Sequence, residues 1–178
     1  MINPSPNSAL IVVDVQNDFA SPSGSLYVQE GEMIVVGINN LMLRFNTVVL
    51  TQDWHPRDHV SFKTWPEHCI ANSVGSQFHH YLRVDRAHMI MRKGTNPDVD
   101  SYSAFMDEQY NKSGLGGFLK ERNIDTVYCC GLALDYCVKA TALDAQKLGF
   151  KTYIVRDLCK AVNPKAVTVI EGIEMIER

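Results

Sequence analysis

Three residues stand where their types and positions could support nucleophilic chemistry. Asp14 comes at the end of the apolar run in "ALIVVDV". A carboxylate there is partly desolvated and needs a partner. Lys93 ends "HMIMRK" and is followed by Gly94. Cys137 lies in "CCGLALDYCVKAT", after an apolar run, a glycine turn and Asp135. A thiol at a helix start gains from the positive end of the helix dipole, and free backbone N–H groups there can hold an anion. An ordinary cysteine, with a pKa of about 8.5, is mostly protonated at neutral pH. Asp14 could take its proton, Lys93 could stabilise the anions, and the N–H groups of Ala133 and Cys137 could form an oxyanion hole. Taken singly, each residue also fits a plainer role: a turn cap, a solvated strand end, a buried helix cysteine.

A second constellation lies in "DWHPRDHVSFKTWPEHC", residues 53–69, which holds three of the six histidines. Asp53 and His55 alternate, so both can face one side of an extended segment, and His68 follows Trp65 and Pro66. One carboxylate and two imidazoles suit Zn²⁺, Fe²⁺ or Mn²⁺ with coordination sites left open. His59 could be a fourth ligand or a hydrogen-bond donor behind the ligands. A histidine-rich surface loop would have the same composition.

The elements that must position these residues alternate. A continuous apolar, β-branched run at 9–15 predicts a strand covered on both faces, and further strands are predicted at 47–53, 88–94, 125–133 and 151–157. Helical spacing appears at 31–45, 114–123 and 135–149, where Gly149 supplies a C-terminal stop. A closing helix is predicted over 163–178, with Pro164 near its first turn. Strand–helix alternation of this kind predicts a three-layer αβα fold, an α/β architecture with a mostly parallel, Rossmann-like sheet of five or six strands and helices on both faces. Ligands of such sheets bind beyond the carboxyl ends of the strands. That rule singles out Asp14, Asp53, Lys93, the turn from Ala133 to Cys137, and Asp157.

Composition narrows the function classes. The chain has 178 residues, 46% hydrophobic and 21% charged, with a net charge of −3. Its length suits one domain, taken as 1–178. The charge is too near neutral to point to nucleic acid or an anionic membrane. No run of ~18 apolar residues predicts a membrane span, and "MINPSPNSA" lacks the pattern of a signal peptide. The expected location is the cytoplasm. Five cysteines, an odd number without C-x-x-C spacing, argue for reduced thiols rather than a disulfide framework or a zinc ribbon. Cys129 and Cys130 read as small core residues of a strand.

The segments "IVVDVQNDF", "DWHPRDHVSF", "WPEHC", "KGTNPDVDSYSAF" and "CCGLALDYCVKATALDA" together resemble the nicotinamidase/pyrazinamidase family within the isochorismatase-like hydrolases, in order from about residue 8 to about 163. The resemblance implies a catalytic triad of Asp14, Lys93 and Cys137 and metal ligands Asp53, His55 and His68. His59 matches a histidine that coordinates metal in some members only. It implies an oxyanion hole at Ala133 and Cys137 and a cis peptide between Leu132 and Ala133. It also implies a substrate pocket built from Phe19, Trp65, Tyr102 and Leu132. The implied cofactor is one divalent metal, Zn²⁺ first, with Fe²⁺ or Mn²⁺ as alternatives. The implied activity is hydrolysis of nicotinamide to nicotinic acid and ammonia through a cysteine thioester, in NAD salvage, with pyrazinamide as a second substrate. A homo-oligomer is compatible with the family. Two other readings remain open. One is a related amidase acting on ureido or carbamoyl substrates; the other is a metal-binding relative without catalysis. Many relatives continue into a further short strand where this chain is predicted to close on a helix.

Overall fold

The apolar runs do become strands. In the computed structural model, which describes residues 2–165 and 169–178, β1 (Ser8–Val13) and β2 (Thr47–Asp53) are buried at every position. β3 (Met89–Lys93), β4 (Thr126–Leu132), β5 (Lys151–Lys160) and β6 (Glu174–Ile176) complete one sheet. Its order is β3-β2-β1-β4-β5-β6, and every neighbouring pair is parallel.

The chain leaves β1 in two directions, first towards β2 and β3, later towards β4, β5 and β6. The strand order therefore reverses between β1 and β4, the position where open α/β sheets bind ligands. Right-handed crossovers then put α2 (Val35–Met42) on one face. They put α3 (Leu115–Glu121) and α4 (Lys139–Lys147) on the other. A single turn, α1 (Asn17–Ala20), follows β1. The predicted helix over 31–45 begins as a 3-10 turn, Gly31–Ile34, before α2. The predicted helix over 135–149 opens as a π turn, Leu134–Val138, before α4.

Two strands are brought together at the reversal by a residue that only glycine can be. Gly131 has φ +115°, and a Cβ there would run into the backbone of Val13. Val13 and Gly131 are register partners, so β1 and β4 pack closely just before the chain turns into the Asp14 and Cys137 segments.

The C-terminus departs from the sequence expectation. Of the predicted closing helix over 163–178, residues 166–168 lie outside the described residues, and the rest is not helical. β6 instead pairs with Tyr153, Ile154 and Val155 of β5. The apolar spacing at 170, 173 and 176 is close to a helical period. Gly172 at φ +74° breaks it, Ile170 and Ile173 turn back on each other, and the segment covers an open sheet edge. β5 also runs three residues further than predicted, with a register shift opposite Cys129 and Gly131. Asp157 is thus inside the strand, where it pairs with Arg178, and is not a strand-end ligand residue.

All five cysteines are free thiols and all are buried, with Cys129 and Cys130 in the core as predicted. Among the described residues, no helix is long and apolar enough to cross a membrane.

Candidate active site

The strand ends deliver the polar residues to one place. Asp14 follows β1 with φ +49°, a left-handed conformation that takes its side chain off the strand direction. The parallel register sets Asp53, the last residue of β2, beside Lys93, the last of β3. Cys137 comes from the π turn after β4. Lys93 Nζ lies 2.9 Å from Asp14 Oδ2 and also pairs with Asp53 Oδ1. It donates to the Ser101 carbonyl at 3.0 Å and to Cys137 Sγ at 3.5 Å. One ammonium therefore touches both carboxylates and the thiol.

Burial governs the electrostatics. It pushes the Asp14 carboxyl above its ordinary range despite the opposing Lys93 charge, and nearby Asp53 adds to the rise. Burial also raises Asp53, but there Lys93 and then His55 outweigh it and hold the carboxyl low. Burial pulls Lys93 down, yet Asp14, Asp53 and Cys137 together keep it well above its usual value. Burial pushes the Cys137 thiol well up; Lys93 opposes this, while Asp14 and Asp53 reinforce it. The helix-start effect expected from sequence does not by itself make a thiolate here. Cys137 rests as a thiol beside a carboxylate able to take its proton.

Asp53, His55 and His68 also converge, each offering one donor atom within 4.8 Å of the others, and all three are buried. His55 Nδ1 bonds to the Gly94 carbonyl at 2.9 Å and His68 Nδ1 to the Pro66 carbonyl at 2.7 Å. A ring nitrogen facing a carbonyl must carry the proton, so Nε2 is the nitrogen that each neutral ring can turn to a metal. His55 Nε2 faces Asp53 Oδ2 at 3.6 Å. Two neutral imidazoles and a carboxylate with outer hydrogen bonds fit a divalent ion of the zinc type. His59 is turned elsewhere. Its Nδ1 accepts from Ser61, its Nε2 donates to the Val99 carbonyl, and its ring stacks on His55 at 4.0 Å.

Both groups open onto one cleft, whose lining includes Phe19, Trp65, Tyr102, Leu132, Ala133 and Cys137. Trp65 Nε1 donates to the Tyr102 hydroxyl at 3.0 Å. Phe19 stands against His68 at 5.5 Å between rings. The peptide between Leu132 and Ala133 is cis. Every residue singled out in the sequence as catalytic, metal-holding or pocket-forming thus lies at this cleft or directly behind it. His79, His80 and His88 do not line it.

Several contributors are not evident from the sequence. Tyr136, one residue before Cys137, meets Trp65 edge-on at 5.1 Å and lines the cleft. Its only sequence signal is adjacency to the nucleophile position. Gln16 brackets Asp53, accepting from its N–H and donating to its carbonyl, each at 2.8 Å. A glutamine just after a buried strand was the available signal. Thr51 donates to Asp14 Oδ1 at 2.6 Å and looks in the sequence like any β-branched strand residue. Asp100 lines the cleft from the long segment between β3 and α3.

Comparison with known proteins agrees with this geometry. The isochorismatase domain family matches residues 8–171. The chain belongs to the isochorismatase family. Within it, this isochorismatase-family chain is 43% identical over 178 residues to a nicotinamidase of Acinetobacter baylyi, covering 88% of this chain and 83% of that protein. The structure of PnC1 from L. infantum in complex with nicotinate superposes with a TM-score of 0.95 at 38% identity, over 99% of this chain and 96% of that one. The pyrazinamidase of Pyrococcus horikoshii in complex with zinc superposes with a TM-score of 0.84 at 39% identity, over 97% of this chain and all of that one. The six-stranded parallel sheet and its surrounding helices are the fold that these relatives share.

Proposed function

We propose that this isochorismatase-family chain, acting as one domain over 1–178, is a nicotinamidase. It would hydrolyse nicotinamide to nicotinic acid and ammonia in NAD salvage in the cytoplasm, and deamidate pyrazinamide as well. The observation that carries the reading is the meeting of two donor sets at one aromatic-walled cleft: Asp14, Lys93 and Cys137 beside Asp53, His55 and His68. A plain carbamoyl amidase has little use for the second set.

Asp53, His55 and His68 would hold the metal, with Zn²⁺ favoured by the donor types and by the zinc complex of the P. horikoshii relative. When bound, the ion supplies a Lewis-acid anchor for a pyridine nitrogen and so orients the ring. The chain's own residues do the rest. Phe19, Trp65, Tyr102 and Leu132 offer flat and apolar surface to the ring, placing the carboxamide carbon against Cys137. Asp14 takes the Cys137 proton as sulfur forms a bond to that carbon. The carbonyl oxygen becomes an oxyanion held by the N–H groups of Ala133 and Cys137. Asp14 gives the proton to the departing nitrogen, the C–N bond breaks, and ammonia leaves a thioester. Asp14 then removes a proton from water, whose oxygen attacks the thioester carbon. The C–S bond breaks, Asp14 returns that proton to the departing sulfur, nicotinic acid is released and the thiol is restored. Lys93 keeps the Asp14 carboxylate in place and offsets the negative charge throughout.

The test is ammonia release from nicotinamide and pyrazinamide, with and without a chelator. Cys137→Ala should lose essentially all turnover while retaining its metal by elemental analysis. Near-parental turnover by that variant sinks the thioester scheme. Hydrolysis of a carbamoyl compound but not of nicotinamide sinks the substrate assignment.

A further inference from the structure

Two trios of metal-binding donors share one residue. Asp53, His55 and His68 form the first, and Asp14, Asp53 and Cys137 form the second; in each, the donor atoms lie within 4.8 Å of one another and are buried. Carboxylates, imidazoles and thiolates are all ligands for borderline divalent ions, so donor chemistry alone does not keep an ion out of the second trio. An ion there would cover the sulfur lone pair with which Cys137 must attack.

The trios differ in what already stands among them. In the second, Lys93 Nζ lies 2.9 Å from Asp14 Oδ2, pairs with Asp53 Oδ1, and sits 3.5 Å from Cys137 Sγ. Asp14 Oδ2 is fully buried and accepts no hydrogen bond among the described residues. Among the described residues the Lys93 ammonium is its charged counterpart, so that oxygen is a ligand position taken by an ammonium. In the first trio Lys93 reaches one oxygen, Asp53 Oδ1, and among the described residues no Lys or Arg pairs with Asp53 Oδ2. His55 and His68 are held from behind by carbonyls, with Nε2 turned inward. Asp53 divides the two, giving Oδ1 to Lys93 and Oδ2 to the His55 side.

We propose that Lys93 also acts as a resident cation, occupying the carboxylate–carboxylate–thiol trio and thereby keeping divalent metal off Cys137. A divalent ion entering beside Lys93 would meet a positive charge at contact distance in a medium that screens poorly. Without Lys93, two carboxylates and an ionisable thiol would face one another unbalanced, a costly arrangement that gathers any available cation. The thiol would lose its proton to solvent on binding the ion. The inference rests on the first trio being the metal site, and the two can fail separately.

Co²⁺ titration of the metal-stripped protein tests it. The parent should saturate at one equivalent without a sulfur-to-cobalt charge-transfer band in the near ultraviolet, even with cobalt in excess. Lys93→Ala should take up a second equivalent and develop that band, and adding Cys137→Ala should abolish the band. Excess Zn²⁺ should slow alkylation of Cys137 at least tenfold (~1.4 kcal/mol of thiol protection) in Lys93→Ala and leave the parent unchanged. A band in the parent overturns the proposal, as does Lys93→Ala that stays at one equivalent with no band. If Lys93→Ala does not fold, the parent titration decides alone: a sulfur band refutes, and its absence once the first equivalent is bound supports. A parent that holds no metal refutes the first trio instead, because the sulfur band reports only on the second.

Discussion

Asp14 is aimed by a closed pair of hydrogen bonds. Thr51 Oγ1 accepts from the Asp14 N–H at 3.1 Å and donates to Asp14 Oδ1 at 2.6 Å. Accepting on one side leaves the hydroxyl proton a single direction. One carboxylate oxygen is therefore engaged, and the other is left for Lys93 and Cys137. A hydrogen bond to a charged group is worth about 1.5–3 kcal/mol. Thr51→Val should thus lower kcat by roughly 10–100-fold with little change in KM, and Thr51→Ser should restore most of it. Equal damage from serine would point to packing and not to the hydroxyl. The thiols make a second residue-scale expectation. Cys137 lines the cleft at 7% exposure, whereas Cys69, Cys129 and Cys130 are at 0%. Cys159 is nearly as covered, and burial pushes its thiol up to about 12. Brief alkylation of the native protein followed by peptide mapping should label Cys137 alone. Label on Cys129 or Cys159 would contradict this packing.

Elements set the metal donors through their ends. Gly94, the residue after β3, has φ +61°, and a Cβ there would press on the His55 ring. Its carbonyl also holds His55 Nδ1. Hydrogen-bond partners behind metal ligands typically matter by 10–100-fold in affinity. Gly94→Ala should weaken metal binding by about that factor, as read by competition with a chromophoric chelator. Unchanged affinity would show that His55 needs no support from this turn. Legibility in the sequence divides along the same line. The central strands β1 and β2 announced themselves as apolar, β-branched runs, because both faces of a central parallel strand are buried. The C-terminal segment did not, because apolar residues three apart fit a helix as well as a turn and an edge strand. Only the open edge of β5, with Gly172 to turn the chain, selects the strand.

At the scale of the molecule, stability and site share one sheet. Leu10, Ile11 and Leu50 are fully buried where β1 and β2 pack, so Leu10→Ala should cost about 2–5 kcal/mol in denaturant unfolding. Metal held only by the folded chain adds stability by linkage, about 2.7 kcal/mol at a hundredfold excess over Kd. Zn²⁺ should therefore raise the Tm of the stripped protein. His68→Ala should remove most of that rise, and a variant that keeps the full shift would place the ion elsewhere. The order β3-β2-β1-β4 is what makes one site from four strand ends, since it sets β2, β3 and β4 around the carboxyl end of β1.

By itself the sequence determined the kinds of chemistry present and their attachment to strand ends. A carboxylate, an ammonium or a thiol closing an apolar run is visible locally, because burial of the run obliges the polar residue to find partners. Tertiary structure alone decided which partners those are. Register set Asp53 beside Lys93, and the strand reversal brought Asp14 to Cys137. The pairing of His59 with Ser61 and Val99 turned it away from the metal donors. Apart from the His59–Ser61 bond, such choices depend on contacts tens of residues apart, which no local pattern of residue types records.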